Sequence, residues 1–326
     1  MTAEPYRLAL LGYSGFLDTI VASLLRSGVR PTCLATHVDD SAAGGDIEVA
    51  LAERNLHRPM AQIAGDAGIP FVQIGDPNST NAIATIKDTG ANAVLCCSAP
   101  VLRPMFLDAF DGRVFNFHGS QKYRGRAGWS WLILNGETND AVVLHWVNAG
   151  IDTGDWIATA SFSIPSQAYP IDIADRQRAA FEELASMLAR QLIDGSVSRS
   201  APASSRPYLP TLMTDRDGHL SWHDAAPEIV RIVFAFGWPY AGAQATLQAS
   251  DRIAHSTLRI ARAEEASVPP MHTKTWGCVI GRTPGGSVDV ACRGGAVRLL
   301  TIRDGQREMP ASAHVRLGMR FVAPGH

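Results

Sequence analysis

Within residues 114–155, three polar side chains have the types and the spacing to do chemistry: Asn116, His118 and Asp152. Val114-Phe115-Asn116-Phe117-His118 is a short apolar run that predicts a buried strand opening into a loop. Alternation puts Asn116 and His118 on one face and turns Phe115 and Phe117 the other way, into packing. Asn116 offers an amide NH2, and His118 offers a ring N–H and a basic nitrogen. Asp152 sits in the turn Asn148-Ala149-Gly150-Ile151-Asp152-Thr153-Gly154-Asp155, which follows a second predicted strand over 141–147. One His and one Asp are therefore expected from neighbouring strand ends, where open α/β sheets place ligands. A nearby opposite charge raises a histidine pKa, so Asp152 is expected to favour protonated His118 and to fix its tautomer. Each residue taken alone also fits a plainer role: a packed histidine, an aspartate capping a turn, an asparagine closing a loop.

The elements that must position these groups follow a regular rhythm. Apolar runs over 6–12, 32–38, 71–74 and 93–98 predict strands; helical spacing covers 17–26, 47–54, 60–67 and 80–89. Strand and helix alternating at this spacing predict an α/β fold, a doubly wound, mostly parallel Rossmann-like sheet. The first turn reads Gly12-Tyr13-Ser14-Gly15, not Gly-x-Gly-x-x-Gly, so a dinucleotide fingerprint is absent. Ser98-Ala99-Pro100-Val101-Leu102-Arg103-Pro104 leaves the strand over 93–98 as a proline-stiffened loop. A basic, glycine-rich loop over 121–128, a Trp-rich helix over 129–135 and a strand over 156–164 come next. A long amphipathic helix over 173–194 ends at Gly195. Residues 196–210 hold five Ser and three Pro without an apolar period, which reads as a linker. Beyond a helix over 226–236, short strands with turns at Pro284-Gly285-Gly286 and Arg293-Gly294-Gly295 predict a small β-rich open barrel. The expected organisation is thus 1–195, a linker over 196–210, and a second domain over 211–326.

Composition narrows the partners. The chain has 326 residues, 46% hydrophobic and 18% charged, enough for two cored domains. A net charge of −2 gives no general pull toward nucleic acid or anionic membranes. No apolar run is long enough to span a bilayer, and no basic-then-apolar leader opens the chain, so a cytoplasmic location is expected. The five cysteines lack motif spacing, which fits reduced, packed thiols. The ten histidines show no close Cys/His/Asp spacing, so no metal is expected.

Taken in order, Asn116-Phe117-His118-Gly119-Ser120, Tyr123-Arg124-Gly125, Leu134-Asn135-Gly136-Glu137 and Gly150-Ile151-Asp152-Thr153-Gly154-Asp155 resemble the N10-formyltetrahydrofolate-dependent formyltransferases. The resemblance covers nearly the whole chain, closely in the first domain and loosely in the second, and implies an OB-like barrel there. It implies N10-formyltetrahydrofolate as formyl donor, with Asn116, His118 and Asp152 catalytic. By the same resemblance, Ser98, Ala99, Pro100, Val101, Leu102, Gly150 and Asp155 cradle the pterin, largely through backbone groups. Ser120, Tyr123 and Arg124 fall on the acceptor side. Formyl transfer needs hydrogen-bond donors for the charge that builds on the carbonyl oxygen, and an imidazole to move protons between the two nitrogens. One departure falls on the acceptor side: Ser120-Gln121-Lys122-Tyr123-Arg124-Gly125 lacks two residues and a proline of the family's usual loop.

Three acceptors occur in that family: initiator methionyl-tRNA, an amino sugar usually linked to a nucleotide, and a hydroxylated amino acid. A tRNA binder needs many basic phosphate contacts. Here no Lys or Arg lies between Arg30 and Arg54, while Asp39, Asp40, Asp46, Glu48 and Glu53 do. Residues 1–209 hold 16 basic and 21 acidic side chains; residues 210–326 hold 13 and 10. The expected acceptor is therefore a small-molecule amine, an amino sugar, with tRNA the runner-up. A folate- or metabolite-binding module without catalysis stands as a further alternative. The resemblance also raises a homodimer through the second domain.

Overall fold

In the computed structural model, the described residues are 4–13, 15–37, 58–126, 128–202, 206–248, 255–305 and 307–323. The acidic stretch 39–53 and the helix expected over 47–54 lie outside them.

The chain divides into two compact units. The first comprises Met1–Ala127, Thr138–Ile164 and Ala174–Pro210. Its strands are β1 (Leu8–Gly12), β2 (Cys33–Thr36), β3 (Phe71–Gln73), β4 (Ala93–Cys97), β5 (Val114–His118), the short β6 (Arg124–Gly125), β7 (Asn139–Trp146), β8 (Trp156–Ser163) and the short β9 (Tyr208–Leu209). Seven of them form one sheet in the order β3-β2-β1-β4-β5-β7-β8. β1 to β5 are mutually parallel; β7 and β8 add antiparallel at one edge. β1 and β4 are buried throughout, as expected of strands covered on both faces. The crossover helices Leu17–Arg26, Met60–Ala67 and Thr80–Asp88 occupy the sequence between parallel strands. One core cluster joins Leu11, Ile86, Val94, Phe106, Phe110 and Val114. On the other side Phe181, from the long helix Pro170–Ile193, stacks on Phe16 at 4.2 Å and tilts against Phe117 at 5.2 Å. That contact anchors the apolar side of β5 and leaves Asn116 and His118 to face the other way.

The stretch 196–210 is tied to this unit by main-chain pairing at Ser200 and at β9. Ser200 exchanges main-chain hydrogen bonds with Trp156 at 2.7 and 2.9 Å, and β9 pairs with β6, Arg124 beside Tyr208. Its composition reads as a linker because pairing of two residues leaves no period to detect.

The second unit comprises Gly128–Glu137, Pro165–Ile173 and Thr211–His326. Its strands are β10 (Ala243–Gln248), β11 (His255–Ala266), β12 (Val279–Arg282), β13 (Val288–Cys292), β14 (Gly295–Asp304), β15 (Arg307–Pro310) and β16 (Arg320–Val322). They form an antiparallel sheet ordered β12-β13-β14-β11-β10-β16, with β15 on β14. A bridge between Cys278 and Arg320 brings its two ends together, so the sheet is a nearly closed barrel. The helix Ala226–Ala235 packs on this sheet and meets the helix Trp129–Leu134, where Ser130 Oγ donates to the Ala235 carbonyl at 2.7 Å.

Candidate active site

β5 and β7 run antiparallel, with Asn116 opposite His145 and His118 opposite Val143. The turn after β7 therefore starts beside Phe115, at the far end of β5 from His118. Asp152 follows the end of a neighbouring strand, as the sequence suggests, but that end lies at the opposite end of β5 from His118. The turn folds back over the face that Asn116, His118 and His145 share. Asp152 then lies between the two imidazoles, its Oδ2 3.4 Å from His118 Nδ1 and its Oδ1 3.5 Å from His145 Nε2. The turn is built for this by its own residues. Asn148 Oδ1 accepts from Gly150 N at 3.0 Å and from Thr153 Oγ1 at 2.7 Å. A Cβ on Gly154 would sit 1.8 Å from the Trp146 carbonyl oxygen, so only glycine lets the chain cross β7 there. Asp152 itself takes a left-handed conformation, φ 50°, which aspartate tolerates better than most residues.

The hydrogen bonds fix the tautomers. His118 Nε2 lies 2.7 Å from the Tyr123 carbonyl, so that nitrogen carries a proton and donates it. His145 Nδ1 donates likewise to the Trp146 carbonyl at 2.7 Å. The Asn116 amide nitrogen lies 3.2 Å from His145 Nε2, the same ring nitrogen that faces Asp152 Oδ1. Burial pulls the His118 imidazole below its ordinary pKa. The Asp152 carboxylate and the Tyr123 carbonyl pull the other way and lose. The sequence expectation of a favoured imidazolium is therefore corrected: Asp152 is in place, but desolvation outweighs it, and the Tyr123 carbonyl sets the tautomer. Burial would raise the Asp152 carboxyl too. There His145, His118 and the Gly125 N–H at 2.9 Å prevail and hold it at about 2. An ionised carboxylate thus faces an imidazole that parts with a proton more readily than an ordinary histidine.

The loop after β5 is held from below. Ser120 is fully buried, and its hydroxyl donates to Asp140 Oδ2 at 2.5 Å while accepting from the N–H groups of Lys122 and Tyr123. Gln121 N and Ala141 N also bond to Asp140, whose carboxyl burial pushes up. Ser120 thereby shapes the loop, and Tyr123 contributes its carbonyl to His118. The Arg124 guanidinium Nε donates to the Arg206 carbonyl at 2.8 Å, and Arg124 N to Pro207 O at 2.9 Å. Arg206, buried at 7% exposure, sends one Nη to the Asp152 carbonyl and the other to the Ser120 carbonyl at 3.4 Å.

Of the residues expected to cradle a pterin, Ser98 is left-handed at φ 59° and exposed, Ala99 and Pro100 are half-buried, Val101 is exposed and Leu102 buried. Asn78 fixes this loop from both sides, donating to Val101 O at 3.0 Å and accepting from Arg103 N at 2.7 Å. Gly150 is exposed at the turn, and Asp155 Oδ2 lies 3.3 Å from Arg199. Sequence reading missed Asn78, Asp140, His145 and Arg206. Only His145 and Asp140 left a signal, as polar residues interrupting the apolar run Ala141-Val142-Val143-Leu144 and its start.

A Rossmann-like sheet with an amide, an imidazole and a carboxylate converging on one strand face defines an enzyme equipped to polarise a carbonyl and move a proton. The formyl transferase family model matches residues 77–188, and the model of the formyl transferase C-terminal domain matches residues 212–316. The chain belongs to the formyl transferase family, with both its domains in the family's order. A methionyl-tRNA formyltransferase of Geobacter metallireducens is 24% identical over 243 residues, covering 74% of this chain and 76% of that protein. The fold is similar to WlaRD, a sugar 3N-formyl transferase solved with dTDP and 5-N-formyl-THF, at TM-score 0.65 and 14% identity over 94% of this chain and 100% of that one. It is also similar to an N-formyltransferase from Helicobacter canadensis in complex with folinic acid and dTDP-3-aminofucose, at TM-score 0.64 and 14% identity, over 90% and 98%.

Proposed function

We propose that this formyltransferase moves the formyl group of N10-formyltetrahydrofolate to the amine of a small acceptor, an amino sugar carried on a nucleotide. The observation that carries the chemistry is Asp152 lying 3.4 Å from His118 Nδ1, on the face that also presents Asn116. The donor supplies a formyl carbon bonded to N10. As the acceptor amine adds to that carbon, negative charge develops on the formyl oxygen, and the Asn116 amide N–H is the donor proposed to meet it. His118, protonated on Nε2, takes the ammonium proton at Nδ1, where Asp152 holds the imidazolium. The same proton goes to N10 as the carbon–N10 bond breaks, and the second proton that the amine nitrogen sheds in becoming an amide is released to solvent. A depressed His118 pKa suits that return step, because it makes the imidazolium the stronger acid. Ser98, Ala99, Pro100, Val101, Leu102, Gly150 and Asp155 are the proposed pterin cradle. Ser120, Tyr123 and Arg124 form the acceptor-side loop, with the Ser120 hydroxyl committed to Asp140.

Two things support a sugar over tRNA: the acidic run from Asp39 to Glu53 and the dTDP or dTDP-sugar found with both solved neighbours. The Geobacter relative favours the second reading, methionyl-tRNA. A screen of nucleotide-linked amino sugars with N10-formyltetrahydrofolate, read by product mass, decides between them. Formylated sugar with no formylated tRNA supports the reading; efficient formylation of charged initiator tRNA replaces it. In the tRNA case affinity falls steeply with salt, roughly 0.9 log units per log unit of salt for each phosphate neutralised.

A further inference from the structure

We propose that Arg206 is a positioning residue for this site: it clamps the main chains of Ser120 and Asp152 together, so that the Asp152 carboxylate stays on His118. The proposal rests on the formyl-transfer reading above. Arg206 belongs to a stretch that its composition marks as a connector, and nothing in its local pattern points to a role. Its side chain is nonetheless buried, and both Nη groups end on main-chain carbonyls of two different site segments, Ser120 and Asp152. The Trp156 ring lies 5.2 Å from the guanidinium, a cation–π distance. A planar fork can reach two carbonyls at once; an ammonium is a single point of charge and cannot do so with the same geometry.

What is clamped matters. Asp152 holds a left-handed conformation that a free turn would leave easily, and the Arg206 bond is to that residue's own carbonyl. Ser120 begins the loop whose Tyr123 carbonyl sets the His118 tautomer. The backbone around Arg206 reinforces the same joint, since its carbonyl accepts from Arg124 Nε and β9 pairs with β6 beside the Gly125 N–H that Asp152 accepts. Arg206 is thus the side chain that touches both segments bracketing His118. Its positive charge also opposes a proton on His118; among the described residues Asp152 and His145 are the other titratable groups that act on that ring.

The test uses the full-length chain with Arg206→Gln and Arg206→Lys. A positioning role predicts that Arg206→Gln lowers kcat roughly tenfold or more while both KM values stay within about twofold, because misplacement of a reacting group costs turnover before binding. In the substrate-free protein, NMR titration of the His118 ring should move upward once the neighbouring positive charge is gone. Arg206→Lys keeps the charge and so keeps the His118 titration near the parent's, yet leaves kcat well below it. Parent-like kcat and parent-like titration in Arg206→Gln overturn the proposal. So does a raised acceptor KM at unchanged kcat, which would make Arg206 an anion-binding group. If Arg206→Gln fails to fold, Arg206→Lys decides alone, and full kcat there refutes the clamp. Should the parent formylate no acceptor, the functional reading fails separately, and the substrate-free titration still judges Arg206.

Discussion

Replacing Asp152 with asparagine tests the electrostatics of the site most directly. The amide keeps the shape and one oxygen for the Gly125 N–H, and removes only the charge between His118 and His145. The carboxyl stands at about 2 in the fold, and its side chain is 12% exposed, so solvent screening takes little from the effect. Against an unfolded value of about 3.9, and about 1.4 kcal/mol for each pH unit, the charge contributes on the order of 2–3 kcal/mol to stability at neutral pH. Because the folded value lies below the unfolded one, this contribution is complete above about pH 5 and is lost as pH falls through the window from about 3.9 to about 2. At about pH 3 roughly half of it remains. Urea unfolding of parent and Asp152→Asn, at neutral pH and again near pH 3, reads both numbers. The expected gap is on the order of 2–3 kcal/mol in the first case and about half that in the second. Equal stabilities at neutral pH, or a gap that does not shrink in acid, would refute the placement of Asp152 as an ionised partner of the two histidines. The same variant should also lose most of its turnover, since His118 then has no counter-charge when it takes a proton.

Asn116→Ala and His118→Ala should each lower kcat roughly a hundredfold or more, and the double variant should lose much less than the product of the two, as expected of groups acting as one unit. Steady-state formylation assays measure this; near-native kcat in His118→Ala would sink the mechanism. Since His118 must be neutral to accept the proton and burial depresses its pKa, kcat/KM should fall only below about pH 6.5, the ordinary histidine value. An acid limb at or above that value contradicts the burial argument. Gly154→Ala should destabilise the protein by about 2 kcal/mol or more in thermal unfolding, because its Cβ would meet the Trp146 carbonyl at 1.8 Å. Unchanged stability would mean that the turn crosses β7 differently.

The parallel core of the first unit was legible because its signals are local. The helices expected over 17–26 and 60–67 are observed as Leu17–Arg26 and Met60–Ala67, and β1 and β4 are the apolar runs that a covered strand requires. The glycine turns at Gly286 and Gly294 sit at positive φ, where the barrel hairpins need them. Alternation alone placed Asn116 and His118 on one face, and that face carries the candidate site.

What sequence alone determined, then, is the period, the turn chemistry and the side of β5 that carries polar groups, all set within a few residues by steric and hydrogen-bonding preferences. The tertiary structure decided the rest. Asp152 reaches His118 only because β7 is antiparallel and its turn folds back, a pairing direction that no spacing encodes. His145 joins Asn116 through register, Ser120 is buried on Asp140, and Arg206 arrives from a stretch without any period. The His118 pKa follows the same rule. Desolvation sums over every atom packed around the ring, contributed by segments far apart in the chain, and that sum outweighs the one carboxylate that the sequence could point to.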